Sequence, residues 1–104
     1  MVVKYHGDST LLSDAFQNMC DKKLGKLEKL AENMTVDAFL TKEGKDHILK
    51  MVAVTKNWEI VAKGKSDDMY KNIDLCVDIL KKEINEKKPM KSQAKSKKDL
   101  YEID

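Results

Sequence analysis

Two stretches of this chain place apolar residues at steps of three or four, each on one side only. In the first, Phe16, Cys20, Leu24, Leu27 and Ala31 form a single stripe within residues 13–32. In the second, which opens at Ser66-Asp67-Asp68 and is stopped by Pro89, the stripe is Met69, Ile73, Val77, Leu80 and Ile84. A helix with one apolar stripe is stable only when that stripe is covered. The chain must therefore supply an apolar surface wide enough for two helices. Ser13 followed by Asp14 suits the start of the first helix, since an oxygen accepts from free N–H groups and a negative charge suits the dipole. Ser66 is placed to cap the second, with Asp67 and Asp68 in its first turn.

The remaining segments read as strands that build that surface. Residues 1–5 are β-branched at Val2 and Val3, and His6-Gly7-Asp8-Ser9 is turn material. Residues 34–42 put Val36, Ala38 and Leu40 on one parity, and a polar turn follows over 42–46. Residues 47–55 are apolar on both parities, which leaves the inner face of that strand open. Residues 58–65 place Trp58, Ile60, Ala62 and Gly64 on one face and Glu59, Val61, Lys63 and Lys65 on the other. The expected fold is α+β: a two-layer β-α-β-β-β-α domain, with a four-stranded sheet and both helices side by side on one face. The last three strands should pair as antiparallel hairpins.

At 104 residues this is one domain's worth of chain, too short for a two-domain dinucleotide enzyme. No apolar run approaches the roughly 18 residues of a membrane span, and the start does not resemble a secretion signal. A cytoplasmic protein is the expectation. The two cysteines, Cys20 and Cys76, fall within the helical apolar patterns and read as core thiols. His6 and His47 have no metal-ligand spacing around them, and no serine or cysteine carries a nucleophile motif. The reading is of a protein that is not an enzyme, with no cofactor and no metal site.

Charged residues make up 37% of the chain, yet the formal balance is only +2. Its distribution is uneven. All 20 basic residues are lysine, and 8 of them fall between Lys81 and Lys98 against 2 acids, a local +6. At about 100° per helical residue, Lys22, Lys26 and Lys29 fall within about 60° of one another, with Lys23 at their flank. Side-by-side helices would let them share a surface with Lys82. Clustered lysines suit a phosphate backbone, while the absence of arginine argues against bidentate reading of guanine edges. Few exposed aromatics are on offer for base stacking. Shape and backbone recognition of folded RNA follows, with no DNA or membrane partner expected.

The run Lys22-Lys23-Leu24-Gly25-Lys26-Leu27-Glu28-Lys29 resembles the K-L-x-K-L-E-K ending of the first helix in the ribosome hibernation promoting factor family. That family includes the ribosome-associated inhibitor A proteins and is also described as the sigma-54 modulation protein family. Asp68-Met69-Tyr70-Lys71-Asn72-Ile73-Asp74 is similar to its D-M-Y-x-A-I-D opening of the second helix, and Ile60-x-Ala62 fits its last strand. The resemblance covers residues 1–88 in the same element order. It implies a translation-inhibiting hibernation factor that binds 16S rRNA in the mRNA and tRNA decoding channel of the small ribosomal subunit during stress, and a monomer off the ribosome.

Carried over by position, Lys23, Lys26 and Lys29 match basic positions of the family's first helix. Lys82 matches the arginine of its L-E-R-Q-L segment. Ile79 and Glu86 stand where members often have lysine, and Lys81 stands in place of a glutamate. Lys87, Lys88 and Lys91 are placed to compensate. Candidate RNA-binding residues are thus Lys22, Lys23, Lys26, Lys29, Lys82, Lys87, Lys88 and Lys91. The resemblance divides the chain into a ribosome-binding domain, 1–88, and a charged, disordered tail, 89–104, as in the family's short class. Two other readings stand beside it. One is a general double-stranded-RNA-binding module, which shares the α-β-β-β-α order. The other is a regulator binding a protein partner through the open sheet face, with Val61 and Trp58.

Overall fold

The computed structural model describes residues 1–87; the expected tail, 89–104, and with it Lys88 and Lys91, lie outside the described residues. The elements are β1 (Val2–Gly7), α1 (Asp14–Gly25), β2 (Thr35–Glu43), β3 (Asp46–Val54), β4 (Glu59–Ser66) and α2 (Met69–Lys87). Strand order in the sheet is β1-β2-β3-β4. The β2–β3 and β3–β4 pairs are antiparallel, as expected, while β1 runs parallel to β2. Parallel neighbours need a long crossover, and α1 supplies it. The two-layer α+β order read from the sequence is the fold, with strand ends displaced by a residue or two.

The inner face of the sheet is written by alternation. Val36, Ala38 and Leu40 of β2 point inward with Ile60 and Ala62 of β4. In β3 the inner set is Leu49, Met51 and Ala53, all fully buried, which resolves the strand whose sequence favoured neither side. Phe16, Cys20 and Leu24 of α1 and Ile73, Cys76, Leu80 and Ile84 of α2 complete the core. Each such large side chain contributes roughly 1.5–3 kcal/mol by leaving water. Met69 and Val77, expected in the α2 stripe, sit at its partly buried margin, and Cys76 takes the central place.

Polar contacts set the positions of the helices. The Tyr5 hydroxyl on β1 lies 2.5 Å from Asp21 Oδ1, and burial together with this acceptor holds its phenol above the usual range. Ser13 caps α1 by accepting from Phe16 N–H at 3.2 Å. The start of α2 differs from the sequence reading. Asp68, and not Ser66, is the cap, accepting from Tyr70 N–H at 2.9 Å, and the first turn of α2 contains no acid. The Ser66 hydroxyl instead lies 2.8 Å from Oδ1 of the fully buried Asn72, whose amide donates to the His47 carbonyl at 2.7 Å. This satisfies a buried side chain that would otherwise be costly and ties α2 to β3. Beneath it, Gly64 permits close approach: a Cβ there would lie 3.1 Å from the Asn72 carbonyl oxygen.

The first helix is shorter than its stripe suggests. It ends at Gly25, and the chain continues in turns: i→i+3 bonds run from Leu27 N–H to Leu24 at 2.8 Å, Glu28 to Gly25 at 3.3 Å and Leu30 to Leu27 at 2.9 Å, and an i→i+4 bond from Ala31 to Leu27 at 3.2 Å closes the segment. Glycine is a poor helix interior residue, and this tighter winding brings positions three apart into register. Leu27 stays fully buried through the change.

Candidate nucleic-acid interface

That winding decides which lysines meet. Lys23, Lys26 and Lys29 are spaced by three, as are Leu24, Leu27 and Leu30. The i→i+3 bonds beyond the end of α1 bring both series towards one line. The leucines face the core and α2, and the lysines form the rim above them. Between this segment and α2 lies a groove of about 330 Å³. Its floor is Leu27, Leu30 and Val77, and around it stand Lys23, Lys26, Lys29 and Lys81 with Asp74 and Asp78. Lys23 Nζ reaches across to Asp74 Oδ1 at 3.0 Å, an ion pair that joins the two helices at the surface. Four ammonium groups against two carboxylates leave the groove electropositive.

The grouping matches the triple carried over from the family resemblance and departs from the straight-helix reading. On a straight helix Lys22 would join Lys26 and Lys29, with Lys23 to one side. Here Lys23 joins them, and Lys22 is exposed on α1 without lining the groove. Lys82 is exposed about 100° round α2 from Lys81, beyond the groove, and Lys87 is exposed at the last residue of α2. Lys88 and Lys91 fall outside the described residues.

Lys81 is the lining residue that sequence reasoning passed over. The signal was present: it lies four residues after Val77 and three after Asp78, so all three share one flank of α2. Comparison with an arginine position drew attention to Lys82, the next residue along α2. Trp58 also moves. It packs against the core from the inner side of the sheet, so of the pair named for a protein-binding face only Val61 stands on the open side.

Among the described residues there is no group of three or more His, Cys, Asp or Glu side chains placed to hold a metal ion, and no helix is long and apolar enough to cross a membrane. Cys20 and Cys76 are fully buried. Burial pushes both thiols up to about 12, so they remain protonated near neutrality. The Cys76 thiol donates to the Leu49 carbonyl at 3.2 Å.

Residues 3–91 match the family described as Sigma 54 modulation protein / S30EA ribosomal protein. The chain belongs to that family. Among curated relatives, the ribosome hibernation promotion factor of Staphylococcus aureus (strain COL) is 29% identical over 87 residues, covering 80% of this chain and 46% of that protein. The chain thus spans about half the length of that relative. Two solved structures share the fold with a TM-score of 0.76 and 22% identity, each covering 83% of this chain. One is a ribosomal subunit interface protein from Coxiella burnetii, 96% covered, and the other is the N-terminal domain of Protein Y from Thermus thermophilus, 98% covered.

Proposed function

We propose that this domain is a ribosome hibernation factor that binds 16S rRNA in the decoding channel of the small ribosomal subunit and so blocks translation without catalysis. The observation that carries the reading is the Lys23–Lys26–Lys29 row facing Lys81 across a shallow groove. Membership of the Sigma 54 modulation protein / S30EA ribosomal protein family supplies the partner class. Lysine is a point-charge partner for phosphate and makes no demand on base identity. A row of ammonium groups beside a second helix therefore suits the ordered phosphates of folded RNA. Lys22, Lys82 and Lys87 extend the positive surface around the groove, and Lys88 and Lys91 continue it in sequence.

The test is co-sedimentation of the full chain with purified small subunits at low and moderate salt. Pelleting with the subunit that weakens as salt rises is expected; no pelleting at either salt overturns the reading. Competition with free duplex RNA separates this from a general duplex-binding module. Comparable affinity for both would favour the general module, and a large preference for the subunit favours a dedicated ribosome-binding factor.

A further inference from the structure

The side of the sheet away from the helices is not an ordinary solvated surface. In the strand register His6 lies beside Phe39, Phe39 opposite Lys50, and Lys50 opposite Lys63, so one row crosses all four strands. The His6 and Phe39 rings stack with centroids 4.6 Å apart and planes 16° from parallel. Lys50 Nζ lies 5.9 Å from the Phe39 centroid. Asp37 Oδ1 holds the His6 ring by its Nε2 at 2.9 Å. The stack is therefore built from both sides. Its histidine end belongs to β1, an edge strand, with the imidazole side chain 45% exposed.

Around the stack stand Lys4, Lys50 and Lys63, all exposed, and none forms an ion pair among the described residues. Asp37, the carboxylate beside the stack, is engaged by His6, and Glu43 at the end of β2 is paired with Lys65 at 3.0 Å, with Lys63 also in its field. Phe39, Val2 and Val61 remain 38%, 55% and 51% exposed. Oriented aromatic rings with cations nearby and apolar side chains between them are what a single-stranded nucleic acid needs: π-faces for bases and ammonium groups for phosphates. A four-stranded sheet is wide enough for two or three bases. An apolar partner would leave three lysines to be buried unpaired, which is costly.

We propose that this sheet face is a second RNA-contacting surface, taking a single-stranded segment whose base continues the His6–Phe39 stack at the sheet edge and whose phosphates lie on Lys4, Lys50 and Lys63. The surface is separate from the helix groove, so the domain sits between two RNA elements of different kind, folded on one side and unpaired on the other. It does not rest on the helix-face reading.

The test uses the full chain and a fluorescein-labelled 12-nucleotide oligouridine, read by anisotropy. The Lys50→Gln/Lys63→Gln variant is expected to bind on the order of tenfold more weakly. The slope of log affinity against log salt should fall by about 1.4, the share of two single-strand phosphates. His6→Ala should also weaken binding, whereas Lys26→Gln/Lys29→Gln should leave it nearly unchanged. All these side chains are exposed, and circular dichroism reports whether the fold is kept. Unaltered affinity in both sheet variants, or a loss confined to the helix variant, overturns the proposal. Cross-links from Lys50 or Lys63 to Asp99, Glu102 or Asp104 that persist under saturating oligonucleotide also overturn it, because the chain's own acidic segment would then hold the face.

Discussion

On the helix side, Lys23, Lys26, Lys29 and Lys81 surround a leucine and valine floor, with Asp74 and Asp78 among them. On the sheet side, Lys4, Lys50 and Lys63 surround the His6–Phe39 stack, and the nearby Asp37 is already held by His6. The numbers of lysines are similar, but the faces suit different forms of RNA. The groove offers ammonium groups in a line with no aromatic plane, which fits a backbone of regular shape. The sheet offers an oriented π-face with cations around it, which fits bases that are free to stack. Local charge alone does not separate these surfaces; the spacing of the groups and what lies between them does.

The largest expected effect comes from reversing charge on the helix side alone. Lys26→Glu/Lys29→Glu/Lys81→Glu should weaken co-sedimentation with small subunits on the order of a hundredfold or more, leaving the circular dichroism spectrum and oligouridine binding intact. Retained subunit binding would remove the groove from the site. The core between the faces serves both, so a change there must affect both alike. Unfolded thiols ionise near 9.0, while Cys20 and Cys76 hold their protons up to about 12. The unfolded state therefore binds fewer protons over that range, and stability is present below 9 and lost as pH rises towards 12. A urea midpoint lower at pH 11 than at pH 8 is expected, read by circular dichroism.

A third variant separates winding from charge. A Cβ on Gly25 would meet nothing within 4 Å, so Gly25→Ala is sterically free. It should raise stability by about 0.5–1 kcal/mol and favour α-helical winding beyond residue 25. That winding turns Lys26 and Lys29 away from Lys23, so subunit affinity should fall several-fold while oligouridine binding stays the same. Unchanged subunit affinity would mean that the three-residue register of the lysines does not matter. The smallest effect is expected from Asp74→Asn, which releases Lys23 from its interhelical partner. Subunit affinity should rise two- to three-fold, about the size of one exposed ion pair, measured by titration at low salt.

The order of elements was legible because the apolar period changes from two to between three and four, and changes back, at identifiable turns. Two places were not. In β3, Ile48, Val52 and Val54 are half-buried on the outer side while Leu49, Met51 and Ala53 are buried inside, so composition did not separate the faces. In α1, steps of three at Leu24 and Leu27 fit an α-helix and tighter turns equally well. The choice depended on Gly25 and on the bonds beyond it. The lysine cluster was legible as a cluster, and the resemblance grouped Lys23, Lys26 and Lys29, but straight-helix geometry grouped Lys22 with the last two and neither route grouped Lys81 with them. Lys23 replaced Lys22 through the winding, and Lys81 entered because α1 packs along one flank of α2. The aromatic row was missed for a third reason. Phe39 stands on the outward parity of β2, but His6 was assigned to a turn, and only the β1–β2 pairing brings the two rings together.

By itself, the sequence determined that two one-sided helices must share one sheet, that its basic character is lysine without arginine, and that this character is densest between Lys81 and Lys98. These follow from local periodicity and from side-chain chemistry, which each residue carries wherever it is placed. Tertiary structure alone decided which lysines face one another and which aromatic rings stack. Both outcomes depend on register, of helix against helix and of strand against strand. Register is set by the packing of the whole core, because a shift of one residue moves every side chain to another face.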